Sequence, residues 1–177
     1  MKLGFIGLGI MGTPMAGHLR AAGHELFVTT RSKLPQALLD AGAVACKTAG
    51  DVAKAADVIF LMVPDTPDVE AVLLGDQGVA TGLSAGKTVV DMSSISPNAT
   101  KAFAAKIKAL GCEYVDAPVS GGEVGAKAAS LTIMVGASEA GFARVLPLLQ
   151  LMGKNITHVG GNGDGQTTKV ANQIIVA

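Results

Sequence analysis

The sequence predicts an α/β fold: a doubly wound, mostly parallel sheet with helices on both faces. Three observations predict it. Short apolar runs alternate with helical patterns along the whole chain, and such alternation calls for parallel strands joined by crossover helices. The opening run ends in Gly7-x-Gly9-x-x-Gly12 and passes directly into a helical pattern, which is how a strand turns into a helix whose amino end receives a pyrophosphate. The length of 177 residues is enough for one domain with a full hydrophobic core.

In chain order, residues 3–6 form the first strand, an apolar run closed by Gly7. A helix is expected near 12–22, a second strand at 26–29, a helix near 34–41 and a weaker strand at 43–46. A helix near 49–55 leads to the fourth strand at 58–63. Pro64 stops that apolar run, because it lacks the N–H that a sheet ladder needs. A helix near 67–74 precedes a strand at 89–91. Ser96 followed by Pro97 fits a helix start, with a hydroxyl cap and a proline in the first turn, so the next helix lies near 98–110. Strands at 114–116, 131–135 and 156–159 complete the sheet, with a helix near 139–151 between the last two. A final helix begins near 166. It is apolar around Asn172 and Gln173 and has no capping glycine, proline or charged last turn. It is therefore expected to be buried against something, and the chain to stop inside it, as a truncated protein would.

Composition narrows the function. The formal net charge is zero, with one Tyr and no Trp, which argues against nucleic acid, since that needs basic stripes and stacking aromatics. Charged residues make up 16% of the chain against a usual value of about 25%, so part of the surface is expected to be covered by another domain or subunit. Cys46, Cys112 and the three histidines fall into no metal-ligand spacing. A reduced cytoplasmic protein without a structural metal is the simple reading. The apolar start is broken by glycines and Pro14, unlike a signal peptide, and no run reaches transmembrane length.

Several segments can carry chemistry. In the loop 7–12, Gly7 permits the tight turn, Gly9 lets backbone approach phosphates, and Gly12 lets helix and strand pack closely; Leu8, Ile10 and Met11 complete it. The ribose of a dinucleotide is read about twenty residues further on, where Thr30, Arg31 and Ser32 stand with no carboxylate. Hydroxyls beside a guanidinium suit a 2′-phosphate, so NADP(H) is the preferred coenzyme and NAD(H) the second option. A solvated surface arginine is the alternative. Val63 and Pro64 end one strand and Ser94 and Ile95 follow the next, on the rim that borders the coenzyme crevice. Ser120, Gly121 and Gly122 offer a hydroxyl and two N–H groups, a concavity sized for a carboxylate, or else a plain structural turn. Lys169, Asn172 and Gln173 share one face of the last helix. A lysine in a cleft can donate a proton to a developing alkoxide while the amides hold its amine.

These motifs together resemble the β-hydroxyacid dehydrogenase family, the 3-hydroxyisobutyrate dehydrogenase-like proteins. Residues 5–16 are similar to its opening signature, Asp116-Ala117-Pro118-Val119-Ser120-Gly121-Gly122 to its substrate motif, and Gly165-x-x-x-Lys169-x-x-Asn172-Gln173 to its catalytic motif. Within the family, Val63-Pro64-Asp65-Thr66-Pro67 and residues 160–166 resemble the branch that reduces tartronate semialdehyde. Gln173 departs from the more frequent Asn-Asn pair.

The resemblance implies a Rossmann domain over residues 1–163, with 164–177 as the start of a long interdomain helix. It implies that Lys169 is the general acid/base, that Ser120, Gly121 and Gly122 bind the substrate carboxylate, and that Asn172 and Gln173 flank the reacting centre. The substrate would be a small carboxylate-bearing aldehyde or 3-hydroxy acid. An all-helical C-terminal domain, absent from this chain, would complete the cleft and support a homo-oligomer. A 3-hydroxyisobutyrate or succinic or glyoxylic semialdehyde enzyme, and a non-catalytic nucleotide-binding module, are the alternatives.

Overall fold

A computed structural model describes residues 1–176. The expected alternation is present: β1 (Lys2–Ile6), α1 (Gly12–Ala21), β2 (Glu25–Thr29), α2 (Gln36–Asp40), β3 (Val44–Ala45), α3 (Ala49–Ala55), β4 (Val58–Leu61) and α4 (Thr66–Leu74). A 3₁₀ turn at Val79–Thr81 leads to β5 (Thr88–Asp91), α5 (Pro97–Ala109), β6 (Glu113–Asp116), β7 (Val119–Ser120) and α6 (Gly122–Lys127). Then come β8 (Leu131–Gly136), α7 (Glu139–Leu149), β9 (Gly153–Gly160) and α8 (Asp164–Val176). The sheet order is β3-β2-β1-β4-β5-β6-β8-β7, with β9 paired to β8. Strands β1 to β6 pair in parallel, as do β8 and β9, whereas β8 runs antiparallel to β6 and β7.

Side chains alternate across the central strands, and each face gathers its own core. Phe60, Val90 and Val115 pack with Met15 and Leu19 of α1 and Val145 and Leu148 of α7. Their neighbours Ile59, Val89 and Tyr114 point the other way, to Val52 of α3, Leu73 of α4 and Ile107 of α5. Strands β4 and β5 are buried along their whole length, as a sheet covered on both faces requires.

The structure departs from expectation in a few places. β4 stops at Leu61, because the Val63 N–H turns away from the ladder to the Ser93 hydroxyl at 3.0 Å. The short β7 and α6 were not foreseen: one is two residues long, and the other contains Gly122 and Gly125, poor helix formers. The last helix is only half covered. Gly165, Gln166 and Lys169 are buried, yet Ile174, Ile175 and Val176 are 75%, 82% and 66% exposed. The first turns of α8 lie on β6, β8 and β9, and the final turns find no cover among the described residues.

The β1–α1 turn rests on two glycines with different duties. Gly7 has φ of +95°, and a Cβ there would overlap the Met62 carbonyl. A Cβ on Gly12 would overlap the Gly7 carbonyl, so this glycine lets α1 start against the end of β1. Around Gly9, by contrast, a Cβ meets nothing within 4 Å. Gly12→Ala is therefore expected to cost about 2–4 kcal/mol of stability by overpacking. Gly9→Ala should stay within about 0.5 kcal/mol of the parent. Urea unfolding of the two variants measures both, and equal losses would contradict this division.

Candidate active site

The carboxyl ends of β1, β2, β4 and β5 open onto one cavity of about 1100 Å³. Gly7, Leu8, Gly9, Ile10, Met11 and Gly12 form one wall; Thr30, Arg31, Ser32, Val63, Pro64 and Ser94 also line it. The loops are tied to one another. The Leu8 N–H donates to Thr30 Oγ1 at 3.4 Å, and the Val63 N–H to Ser93 Oγ at 3.0 Å. The Thr30 hydroxyl thus orients the glycine loop as well as lining the cavity.

Helix α1 starts at the cavity wall with no side-chain cap bond and no acidic residue in its first turn, so its amino end favours an anion. Gly9 lines the same wall with open space where a side chain would stand. No packing inside the protein demands a glycine there, and the open space admits the close approach of a ligand. The residues present fit a dinucleotide with its pyrophosphate at this turn.

A second cavity, about 460 Å³, adjoins the first. Ser94 lines both. Ile95, expected among the coenzyme contacts, lines this second cavity, together with Lys169, Gln173, Val170 and Ile174. Lys169 is 7% exposed, and its Nζ donates to Gln173 Oε1 at 3.0 Å. Burial pulls its ammonium below the ordinary lysine pKa. Val170 and Ile174 share the cavity and add apolar wall, while Ala171 is exposed.

Ser120, Gly121 and Gly122 line neither cavity. They are brought to α8 by another route, Asn172 Nδ2 donating to Ser120 Oγ at 3.5 Å. Because Asn172 and Lys169 stand one turn apart on one helix face, the segment 120–122 and the lysine belong to one neighbourhood.

A buried polar network fixes that neighbourhood, and sequence reasoning passed over most of it. Asp116 accepts from the Gly163 N–H at 2.9 Å and the Gln166 N–H at 3.1 Å, holding the first turn of α8. Gln166, fully buried, accepts from the Ile95 N–H at 3.1 Å and donates to the Ser93 carbonyl at 2.7 Å. A Cβ on Gly165 would stand 2.6 Å from the Met134 carbonyl and 2.8 Å from Asp116 Oδ2, so only glycine lets α8 lie this close. Deeper still, Asp91 accepts from the Ser93 N–H and the Tyr114 hydroxyl, each at 3.0 Å. Asp68 was missed too: it pairs with Arg31 at 2.8 Å. In sequence it reads as an ordinary first-turn acid.

This geometry invites comparison with known proteins. Residues 2–160 match the family described as the NAD binding domain of 6-phosphogluconate dehydrogenase. The chain belongs to that family. It is 63% identical to the 2-hydroxy-3-oxopropionate reductase of Escherichia coli (strain K12) over 100% of its own length and 61% of the relative's. It superimposes on a Mycobacterium tuberculosis 3-hydroxyisobutyrate dehydrogenase solved with L-serine, with TM-score 0.91 and 33% identity, covering 99% of this chain and 60% of that one. A structure of Psf3 in complex with NADP+ and 2-OPP gives TM-score 0.92 at 31% identity, covering 98% of this chain and 62% of that one. The motif resemblance therefore holds, and the chain carries the family's nicotinamide-coenzyme domain. It spans about three fifths of these relatives' length. Among the described residues, no helix is long and apolar enough to cross a membrane.

Burial raises the Asp91 carboxyl from 3.8 to about 6. Between those values the folded state keeps a proton that the unfolded state has lost, so this group's contribution to stability falls as pH rises through them. Asp91→Asn removes that loss. Relative to the parent, the variant should gain up to about 3 kcal/mol on going from about pH 4 to about pH 7. Urea titrations at several pH values check this, and a pH-independent difference would contradict it.

Proposed function

We propose that the protein reduces tartronate semialdehyde (2-hydroxy-3-oxopropanoate) to glycerate, with NADP(H) as preferred coenzyme and Lys169 as general acid. The observation that carries this reading is the setting of Lys169. Its amine is buried, held by Gln173, and lines a cavity that meets the dinucleotide-sized one at Ser94. The choice of substrate is supported by the 63% identity to the Escherichia coli 2-hydroxy-3-oxopropionate reductase.

A nicotinamide coenzyme held by these residues would supply the hydride for the aldehyde carbon. Lys169 donates a proton to the carbonyl oxygen as negative charge develops there. Gln173 Oε1 occupies one of its three donors and leaves the others for the substrate. In the reverse direction the neutral amine accepts the proton, and the lowered pKa makes that form more available. Ser120 and the N–H groups of Gly121 and Gly122 take the substrate carboxylate, with Asn172 between them and the lysine. Arg31, Thr30 and Ser32 read the 2′-phosphate, and the loop 7–12 holds the pyrophosphate. Residues 1–163 form the dinucleotide-binding unit. The segment from 164, described as helix over Asp164–Val176 with Ala177 outside the described residues, begins the helix into a helical domain that closes the cleft and joins copies of the protein.

Replacing Lys169 by Ala in the whole protein should lower NADPH-dependent turnover of tartronate semialdehyde by about 10²–10⁴-fold. The pH profile carries a second readout. Reduction needs the ammonium, so its rate falls as pH rises through the Lys169 pKa, below the ordinary 10.5. Oxidation of glycerate needs the amine and rises through the same pKa. Lys169→Arg should push both limbs upward. Turnover within a few-fold of the parent in Lys169→Ala would overturn the proposed role.

A further inference from the structure

The Arg31–Asp68 ion pair stands inside the proposed coenzyme cavity, and both residues line it. Arg31 follows β2, while Asp68 stands in the first turn of α4 on the other side of the cleft. Nη2 and Oδ1 are 2.8 Å apart, with side chains 78% and 23% exposed. Neither residue is part of the sheet or of the buried cores. The segment after β2, where a ribose-binding carboxylate is sought, has only Thr29, Thr30, Arg31 and Ser32. The structure brings a carboxylate to the same place from a different element.

We propose that Asp68 is a coenzyme-selectivity residue: by pairing with Arg31 and facing the cleft, it restrains the preference for NADPH and keeps NADH binding competitive. The inference rests on the coenzyme reading above. A 2′-phosphate approaching Arg31 must share the guanidinium with Asp68 and brings its charge beside a carboxylate, which is repulsive. A 2′-hydroxyl can instead donate a hydrogen bond to that carboxylate. Arg31 has five donors in a planar fork, so pairing with Asp68 leaves some free for phosphate. The opposing effects thus leave a cleft that tolerates either coenzyme. Because the Arg31 side of the pair is largely exposed, water and salt moderate its influence.

Dissociation constants for NADPH and NADH, read from nicotinamide fluorescence, test the proposal in the parent, Asp68→Asn and Asp68→Ser. Serine is the second variant because it suits the amino-terminal turn of α4 and guards against a folding defect. Both variants are expected to move the NADPH-to-NADH affinity ratio about tenfold toward NADPH, more at low salt than at high. Arg31→Ala should move it the opposite way. Both coenzymes binding with the ratio within about twofold of the parent in both variants would overturn the role of Asp68 alone. A parent protein that binds neither dinucleotide would overturn the coenzyme reading and this proposal together.

Discussion

The first turn of α8 is clasped from two sides, and the place of Lys169 depends on that clasp. On one side Asp116, at the end of β6, accepts the N–H groups of Gly163 and Gln166. On the other, Gln166 exchanges hydrogen bonds with the backbone of the loop after β5, at Ser93 and Ile95. A carboxylate at a helix amino end complements both the free N–H groups and the helix dipole. Charge-assisted bonds of this kind contribute about 1.5–3 kcal/mol each. The loop that borders the coenzyme cavity and the helix that carries the lysine are therefore one mechanical unit. Lys169 lies three residues past Gln166, on the same face of the helix, so its amine is aimed by bonds that it does not itself make.

That arrangement has an electrostatic consequence. Lys169 is buried beside a neutral amide rather than a carboxylate: its partner is Gln173, and it joins no ion pair among the described residues. A local countercharge would hold the proton firmly. Desolvation without one loosens it, which suits the proposed role of giving a proton in one direction and taking it back in the other. The buried acids Asp91 and Asp116 have their own donors and stay engaged with backbone and Tyr114. The fold thus separates the carboxylates that hold backbone from the amine proposed to react.

Much of this was legible in the sequence because it rests on short-range pattern. The Gly7, Gly9 and Gly12 spacing marks a strand-to-helix turn whatever the rest of the chain does, and the structure gives Gly7 its turn and Gly12 its close packing while leaving open space at Gly9. The shared helix face of Lys169, Asn172 and Gln173 follows from helical geometry alone. What sequence did not reveal depends on contacts across long separations. Asp68 meets Arg31 only because α4 and β2 border one cleft, and Gln166 reaches Ser93 across 73 positions of chain. The antiparallel insertion of β8 beside β6 follows the same rule, since neither strand declares its partner. The exposed end of α8 shows the converse case. Ile174, Ile175 and Val176 are apolar yet uncovered among the described residues, and pattern alone does not say what would cover them.

A crystal structure of the whole protein with NADPH and glycerate bound would test the central claim most directly, that a buried ammonium and the coenzyme's reactive ring meet at one point. The account predicts the nicotinamide beside Ser94, with Lys169 Nζ within hydrogen-bond reach, about 3 Å, of the substrate oxygen on the reacting carbon. A dinucleotide seated on the glycine turn with its ring directed away from α8, or a lysine turned out to solvent, would contradict it.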